Sequence, residues 1–329
     1  MTRDVPPGTR TGVSRYFDYD GPVHYIDYGG KPDGPLVVCV HGLGGSAISF
    51  DLIATLLAAE CRIYAVDLVG HGRTPVLGRS ATVGANRRVV DHFLSDVVGE
   101  PAILIGNSMG GLISLLQASK RPESVAGLVL IGPALPLTGL VLKDARRALE
   151  FAVLALPGIG TTVVSLWTRF ASAERQVARM MRLVAKDPTQ IPDDFRRAAA
   201  ALAEERRRLP GNPNALVQAA RSVVFVIGSP WYATQLEGVA APVLLIHGQH
   251  DRLVSIRQAD AAAQKFDSWR FEIMDHVGHV PQLEDPGLVA ATILEWMFEE
   301  TPEVAEAAEA AEPVEVVVDV RDAARSRPR

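Results

Sequence analysis

The stretch GNSMGG, residues 106–111, decides the fold of this 329-residue chain. It follows an apolar run, 101–105, and a helical pattern comes directly after it. The order is therefore strand, tight turn and helix, which is the context that a G-x-S-x-G nucleophile elbow requires. Gly106 and Gly110 lack the Cβ atoms that would collide where the strand reverses. The hydroxyl of Ser108 then projects outward as a candidate nucleophile, and a purely structural Gly-rich turn is the alternative.

Strands alternate with helical patterns on both sides of this elbow. The predicted strands are residues 13–17, 23–28, 36–40, 62–66, 101–105, 127–131, 242–247 and 269–274. The predicted helices of this part of the chain are residues 48–59, 80–98, 112–120, 256–266 and 286–299. Such alternation predicts an α/β fold with a mostly parallel eight-stranded sheet flanked by helices.

One long segment interrupts this rhythm. Residues 137–237 carry only helical patterns, so we expect an all-helical cap inserted over the C-terminal edge of the sheet. The core is then formed by residues 13–136 and 238–300. Residues 1–12 are expected to be flexible. Residues 301–329 are rich in Ala, Glu and Pro and are expected to be disordered, because they bury too little apolar surface to offset the entropy of ordering.

Composition excludes some classes of function. The net charge is −5 and the pI is about 5.9, so nothing indicates a nucleic-acid partner. Cys39 and Cys61 form no framework of paired spacings, which is compatible with a reducing compartment. The first fifteen residues contain no apolar signal region. We therefore expect a cytoplasmic protein. The oligomeric state is left open.

A serine hydroxyl needs a general base, and the base needs an orienting carboxylate. Asp251 follows strand 242–247, and His279 follows strand 269–274. The carboxyl ends of parallel strands lie at one edge of a sheet, so both side chains are expected beside Ser108. The order Ser, Asp, His is also the one expected with this elbow.

Several rival residues compete for these roles. His276 is the main rival of His279, which we favour because Gly278 gives the turn freedom to aim the next ring. Asp67 ends a strand but precedes Ser108, and Asp275 adjoins the histidine loop. The remaining histidines include His24, which we expect at the surface of a half-exposed strand, and His92, expected on an exposed helix face.

Two main-chain N–H groups should stabilise the developing oxyanion. Met109 follows the nucleophile at a helix N-terminus, and Leu43 lies in the loop after the third strand. We assign substrate contact to His41, Gly42 and Asn107. For His41, hydrogen bonding to the loop backbone is the favoured alternative.

These motifs together resemble the α/β-hydrolase superfamily. They are HGLGG (41–45), DLVGHGRT (67–74), GNSMGG (106–111), HGQHDRLV (247–254) and GHVPQLEDP (278–286). The resemblance covers about residues 25–297 apart from the inserted segment, and it implies a Ser-His-Asp hydrolase. The GNSMGG form is similar to that of meta-cleavage-product hydrolases, which cut carbon–carbon bonds. Those enzymes typically carry Trp after the catalytic His, whereas Val280 stands here, and the pattern around His279 looks more like esterases and lipases.

We therefore expect a serine hydrolase that cleaves carboxylic esters with apolar acyl or lipid groups. The chemistry is side chain plus water, so we expect neither a cofactor nor a metal. The alternatives are a carbon–carbon bond hydrolase and, from another class, a ligand-binding protein that keeps the fold without turnover. The complete triad argues against the last of these.

Two features of the inserted segment bear on its partners. Residues 151–168 contain no charge, but prolines and glycines interrupt them, so we expect an apolar acyl pocket rather than a membrane span. Cap helix 174–186 carries four cations at helical spacing: Arg175, Arg179, Arg182 and Lys186. Such a basic amphipathic helix indicates peripheral contact with anionic lipid, and an ordinary solvated face is the alternative.

Overall fold

The computed structural model describes residues 12–137, 159–209 and 212–300, and its centre is an eight-stranded sheet. The strands are β1 (Val13–Asp18), β2 (Pro22–Gly30), β3 (Leu36–Val40), β4 (Arg62–Val66), β5 (Ala102–Asn107), β6 (Val125–Ile131), β7 (Val243–Gly248) and β8 (Trp269–Met274). Their order across the sheet is β1-β2-β4-β3-β5-β6-β7-β8. β2 pairs antiparallel with both β1 and β4, and every other neighbouring pair is parallel. The predicted fold class is confirmed.

Helices connect the strands and cover both faces. Those of the sheet domain are α1 (Asp51–Leu57), α2 (Val83–Phe93), α3 (Met109–Lys120), α9 (Ile256–Lys265), α10 (Pro281–Glu284) and α11 (Pro286–Glu300). Those between β6 and β7 are α4 (Ile159–Phe170), α5 (Ala173–Val184), α6 (Asp193–Arg206), α7 (Asn212–Ile227) and α8 (Pro230–Glu237). A π-helical turn, Leu94–Val98, continues α2 and ends at Gly99 in the left-handed region.

Successive residues of the central strands supply two separate cores. Side chains alternate between the faces of a strand, and in β5 Leu104 points to one face while Ile103 points to the other. Phe93 of α2 and Leu112 of α3 pack on the first face, and Trp296 of α11 packs on the second. Full burial on both faces explains why these strands read as continuous apolar runs.

The helices between β6 and β7 form an insertion that packs on the sheet domain. Met181 and Val184 of α5 and Phe195 of α6 belong to the same buried cluster as α1 and α11. Among the described residues, no helix is both long enough and apolar enough to cross a bilayer. The insertion is therefore held by the core of the sheet domain through α5 and α6.

One prediction about the first strands was wrong. His24 was expected at the surface, but it is fully buried, and its Nδ1 lies 2.7 Å from Asp67 Oδ2. Polar residues alternate along β2, yet the strand lies between β1 and β4 and both of its faces are buried, with Tyr25 in one core and Ile26 in the other. The prediction for His92 is confirmed, because its side chain is exposed. Residues 1–11 and the predicted tail 301–329 lie outside the described residues.

Candidate active site

The elbow holds Ser108 in a backbone conformation that few residues adopt. Its φ is 56° and its ψ is −114°, at the junction of β5 and α3. A Cβ on Gly110 would lie 1.9 Å from the carbonyl oxygen of Val40, and a Cβ on Gly106 would lie 2.7 Å from the Gly110 carbonyl group. The structure confirms that the two glycines permit the turn, and such strained residues cluster at functional sites.

His279 and Asp251 form a buried pair at the same edge of the sheet. The Nδ1–H of His279 donates to Oδ2 of Asp251 at 2.6 Å, and both side chains are almost completely buried. Gly132, directly after β6, packs against this contact, since a Cβ there would lie 3.2 Å from both atoms. The backbone N–H of Ser108 donates at 3.0 Å to the carbonyl of Ile131, the residue before Gly132. One strand end therefore touches both the elbow and the histidine–aspartate pair.

The surroundings of Asp251 keep its carboxylate ionised. Its Oδ1 accepts the backbone N–H groups of Leu253 and Val254 at 2.7 and 2.9 Å. Burial alone would raise the pKa of Asp251, but the charge and hydrogen bond of His279 and these N–H groups outweigh burial and lower it. An ionised carboxylate on Nδ1 fixes the ring with Nε2 free to accept a proton.

A second histidine lies beside the same carboxylate. His247 Nε2 is 3.6 Å from Asp251 Oδ2 and donates to the carbonyl of Val254 at 3.1 Å. Burial lowers the pKa of His247, so this ring is neutral near pH 7. No hydrogen-bond partner of its Nδ1 is found within the described residues. The place of His247 beside Asp251 follows from its position at the end of β7.

The structure places the rival residues elsewhere. The side chain of His276 is 54% exposed and pairs with Asp285 at 2.7 Å. Asp67 binds His24, as described above, and also accepts the backbone N–H groups of Ala47 and Arg73. Asp67 therefore organises the loops after β3 and β4 and is engaged away from His279.

The predicted oxyanion loop adjoins the elbow. A Cβ on Gly42 would lie 3.0 Å from Ser108 Cβ and 3.2 Å from Asn107 Oδ1, so the loop approaches Ser108 as closely as a glycine allows. Met109 is the first residue of α3, where backbone N–H groups lack intrahelical acceptors. The roles of Leu43 and Met109 as oxyanion donors stay predictions.

Two residues that were assigned to substrate have protein partners instead. The ring of His41 is fully buried; Nδ1 donates to the carbonyl of Gly42, and Nε2 accepts the N–H of Leu68. The predicted alternative, bonding to loop backbone, is thus confirmed for His41. The amide nitrogen of Asn107 donates to the carbonyls of Ile131 at 2.9 Å and of His279 at 3.1 Å. Asn107 therefore joins the elbow to the histidine loop.

Glu284 is a site-supporting residue that sequence reasoning missed. Its Oε1 accepts the backbone N–H of Gly278 at 2.8 Å, and its Oε2 accepts that of Lys186 at 2.7 Å. Burial raises the pKa of Glu284 above its usual value, although backbone N–H groups oppose the shift. The carboxylate thus connects the histidine loop to the end of α5. The only signal was its place in GHVPQLEDP, which gave no role.

The insertion also contacts the histidine loop through its main chain. The N–H of His279 donates to the carbonyl of Val184 at 2.7 Å. A Cβ on Gly278 would lie 2.7 Å from both that oxygen and the nitrogen of Lys186. The prediction that Gly278 provides conformational freedom to aim the next ring was therefore wrong. The φ of Gly278 is not positive, and the position requires a glycine because backbone atoms of the insertion approach it closely.

Apolar side chains of the insertion lie over the predicted oxyanion loop. A Cβ on Gly44 would lie 3.6 Å from Met180 Cε and 3.7 Å from Leu216 Cδ1. Met180 is on α5 and Leu216 is on α7, so two helices of the insertion meet above this loop. Within the described residues, no group of three or more His, Cys, Asp or Glu side chains is arranged to hold a metal ion.

The model of the alpha/beta hydrolase family matches residues 37–292, which include the elbow and both members of the buried pair. The chain belongs to the alpha/beta hydrolase family. It is 29% identical to a 3-hydroxybutyrate-oligomer hydrolase of Cupriavidus necator over 283 residues, which cover 81% of this chain and 89% of that protein.

The chain is also similar to a second curated relative and to a solved structure. The hydrolase is 29% identical to a pimeloyl-[acyl-carrier protein] methyl ester esterase of Aromatoleum aromaticum, with 77% of this chain and 94% of the esterase covered. Its fold matches the crystal structure of a membrane phospholipase A, a bacterial virulence factor, with a TM-score of 0.70 and 21% identity over 90% of this chain and 87% of that one. The likeness to the phospholipase shows the fold alone.

Proposed function

We propose that the hydrolase is a serine esterase that cleaves carboxylic esters with apolar acyl groups. The observation that carries the proposal is the buried His279–Asp251 pair. The end of β6 contacts both this pair and the strained elbow at Ser108. Two relatives support the substrate class, because one is named as a hydrolase of 3-hydroxybutyrate oligomers and the other as a methyl ester esterase.

The proposed reaction proceeds through an acyl-enzyme. Ser108 Oγ attacks the ester carbonyl carbon while His279 Nε2 takes the hydroxyl proton. Asp251 stabilises the imidazolium that forms, since it already binds Nδ1 at 2.6 Å. His279 then returns the proton to the alkoxide leaving group, and water, activated by the same ring, hydrolyses the acyl-enzyme. In both halves the N–H groups of Leu43 and Met109 bind the oxyanion.

The substrate's acyl group is proposed to bind between the oxyanion loop and the insertion. Met180 and Leu216 approach Gly44 from α5 and α7, and both present only apolar atoms. Residues 137–237 would then act as a cap on a core formed by 13–136 and 238–300. We further propose that Gly42 contributes close approach beside the carbonyl, while His41 and Asn107 hold the loops in place.

A panel of substrates tests the proposal. We expect p-nitrophenyl esters of medium and long acyl chains to be cleaved faster than the acetate, because each buried CH₂ contributes about 0.8 kcal/mol. A chromogenic dienoate of the kind cleaved by carbon–carbon hydrolases should show no turnover above that of the Ser108→Ala variant. Faster cleavage of the dienoate than of every ester would replace the proposal with the carbon–carbon alternative.

A further inference from the structure

One helix of the insertion presents its apolar side chains to solvent. Four large apolar residues of α4 are spaced i, i+3, i+4 and i+7, and they are 50%, 50%, 39% and 74% exposed: Val163, Leu166, Trp167 and Phe170. Val164, roughly 100° around the helix from Val163, is 8% exposed and faces the protein. A surface helix of a globular protein ordinarily turns its apolar stripe toward the core. The stripe of α4 is therefore a candidate for contact with something outside the chain.

Cations border this apolar stripe. Arg179 of α5 lies over the ring of Trp167, with Cζ 4.8 Å from the ring centroid, and Arg169 lies beside Phe170. The segment 159–186 carries five Lys and Arg side chains against a single carboxylate, Glu174. Among the described residues, no ion pair engages Arg169, Arg175, Arg179 or Arg182. These charges are available to an anionic partner.

The apolar stripe of α4 and the arginines of α4 and α5 together form a face that suits a membrane surface. Apolar side chains at helical spacing, an aromatic ring at the edge and a basic border are the features of helices that lie in a membrane interface. No helix within the described ranges could span a bilayer, so the face would lie along the surface. A protein partner of ordinary polarity gives no reason for the excess of arginine.

We propose that α4 and α5 dock on the surface of an anionic phospholipid bilayer. Leu166, Trp167 and Phe170 insert among the acyl chains, and Arg175 and Arg182 bind lipid phosphates. α5 also carries Met180 to the oxyanion loop, and its Val184 carbonyl binds the N–H of His279. Docking therefore brings the site to the lipid surface; that lipid esters are then cleaved by Ser108 rests on the proposed function.

Vesicle co-sedimentation tests the docking surface without relying on catalysis. Wild-type protein and the Ser108→Ala variant should bind vesicles of phosphatidylcholine with phosphatidylglycerol equally, and far more strongly than vesicles of phosphatidylcholine alone. Leu166→Ser/Phe170→Ser should weaken binding by at least about tenfold, since it removes two side chains from the acyl region. Arg175→Gln/Arg182→Gln should weaken it about thirtyfold at low salt.

Matched variants elsewhere on the surface serve as controls. Leu288→Ser/Phe298→Ser makes the same apolar change at 43% and 41% exposed positions of α11. Arg88→Gln/Arg257→Gln removes the same charge from exposed positions outside the insertion. Both should bind as wild type does, and each of the four double variants should keep the wild-type rate on a short water-soluble ester. The proposal would be overturned if the control variants lost vesicle binding to the same extent, or if wild-type protein bound neutral vesicles equally well. It would also be overturned if wild-type protein bound no vesicles and instead formed a stable dimer that Leu166→Ser/Phe170→Ser abolished.

Discussion

At the scale of single residues, the side chains next to the proposed catalytic groups hold them in place. Asn107 precedes Ser108, and its amide nitrogen donates to the main-chain carbonyl of His279. Asn107 was assigned to substrate contact, whereas the structure supplies two main-chain acceptors for its amide. The partners of an asparagine depend on segments far along the chain, so sequence neighbours could not identify them.

Replacement of Asn107 separates the two roles. We expect Asn107→Ala to lower kcat on an ester by about tenfold to a hundredfold, because a small displacement of catalytic groups is costly. KM should change little. Stability should fall by about 1–3 kcal/mol, since two buried carbonyls each lose a hydrogen bond and that of Ile131 keeps the N–H of Ser108.

Asn86→Ala is the matched control for this substitution. Asn86 is also buried, and its side chain forms hydrogen bonds with the main chain. Its Oδ1 accepts the N–H of Val69, and its Nδ2 donates to the carbonyl of Ala81. Its loss should reduce stability similarly and leave kcat near the wild-type value. Kinetics of Asn107→Ala with a raised KM and an unchanged kcat would instead support substrate contact.

At the scale of elements, strand ends could be predicted and the links between elements could not. Asp251 and His279 were predicted because each follows a predicted strand, and parallel strands bring such ends to one edge. The carboxylate of Glu284 binds the N–H groups of both Gly278 and Lys186, and Lys186 lies 98 residues before Glu284 in the sequence. Since both acceptor contacts are to backbone N–H groups, no residue type at either position indicates the pairing.

The link through Glu284 can be broken with almost no change of shape. In Glu284→Gln one carboxylate oxygen becomes an NH₂ group, which cannot accept from Gly278 or Lys186. We expect about 1–3 kcal/mol lower stability and a kcat reduced about tenfold, because the histidine loop loses one of its contacts to α5. Urea unfolding and ester kinetics measure the two effects.

Glu299→Gln provides the comparison for Glu284→Gln. Glu299 is an exposed residue whose partner is Arg270, and such surface ion pairs contribute little to stability. Its substitution should leave stability and kcat almost unchanged. A Glu284→Gln enzyme with wild-type kcat would show that the end of α5 does not help to position His279.

At the scale of the whole molecule, the periodicity of the sequence predicted all eight strands of the sheet and the place of the insertion. Continuous β-branched and aliphatic runs marked the interior strands because both faces of the sheet are covered. The same argument misplaced β2, whose polar residues are buried in partnerships such as His24 with Asp67. The outward-facing stripe of α4 was also missed, since helical spacing shows that a face is apolar but not which way it points.

The central claim is that Ser108 is the nucleophile activated by His279 and Asp251. The most direct test is the rate of covalent labelling by a fluorophosphonate, followed by intact mass and peptide mapping. Wild-type protein should gain one adduct, on Ser108, and Ser108→Ala none. His279→Ala should label at least about a thousandfold more slowly, because the hydroxyl then lacks its base. Absence of an adduct on wild-type Ser108, or equal labelling of the His279→Ala variant, would contradict the claim.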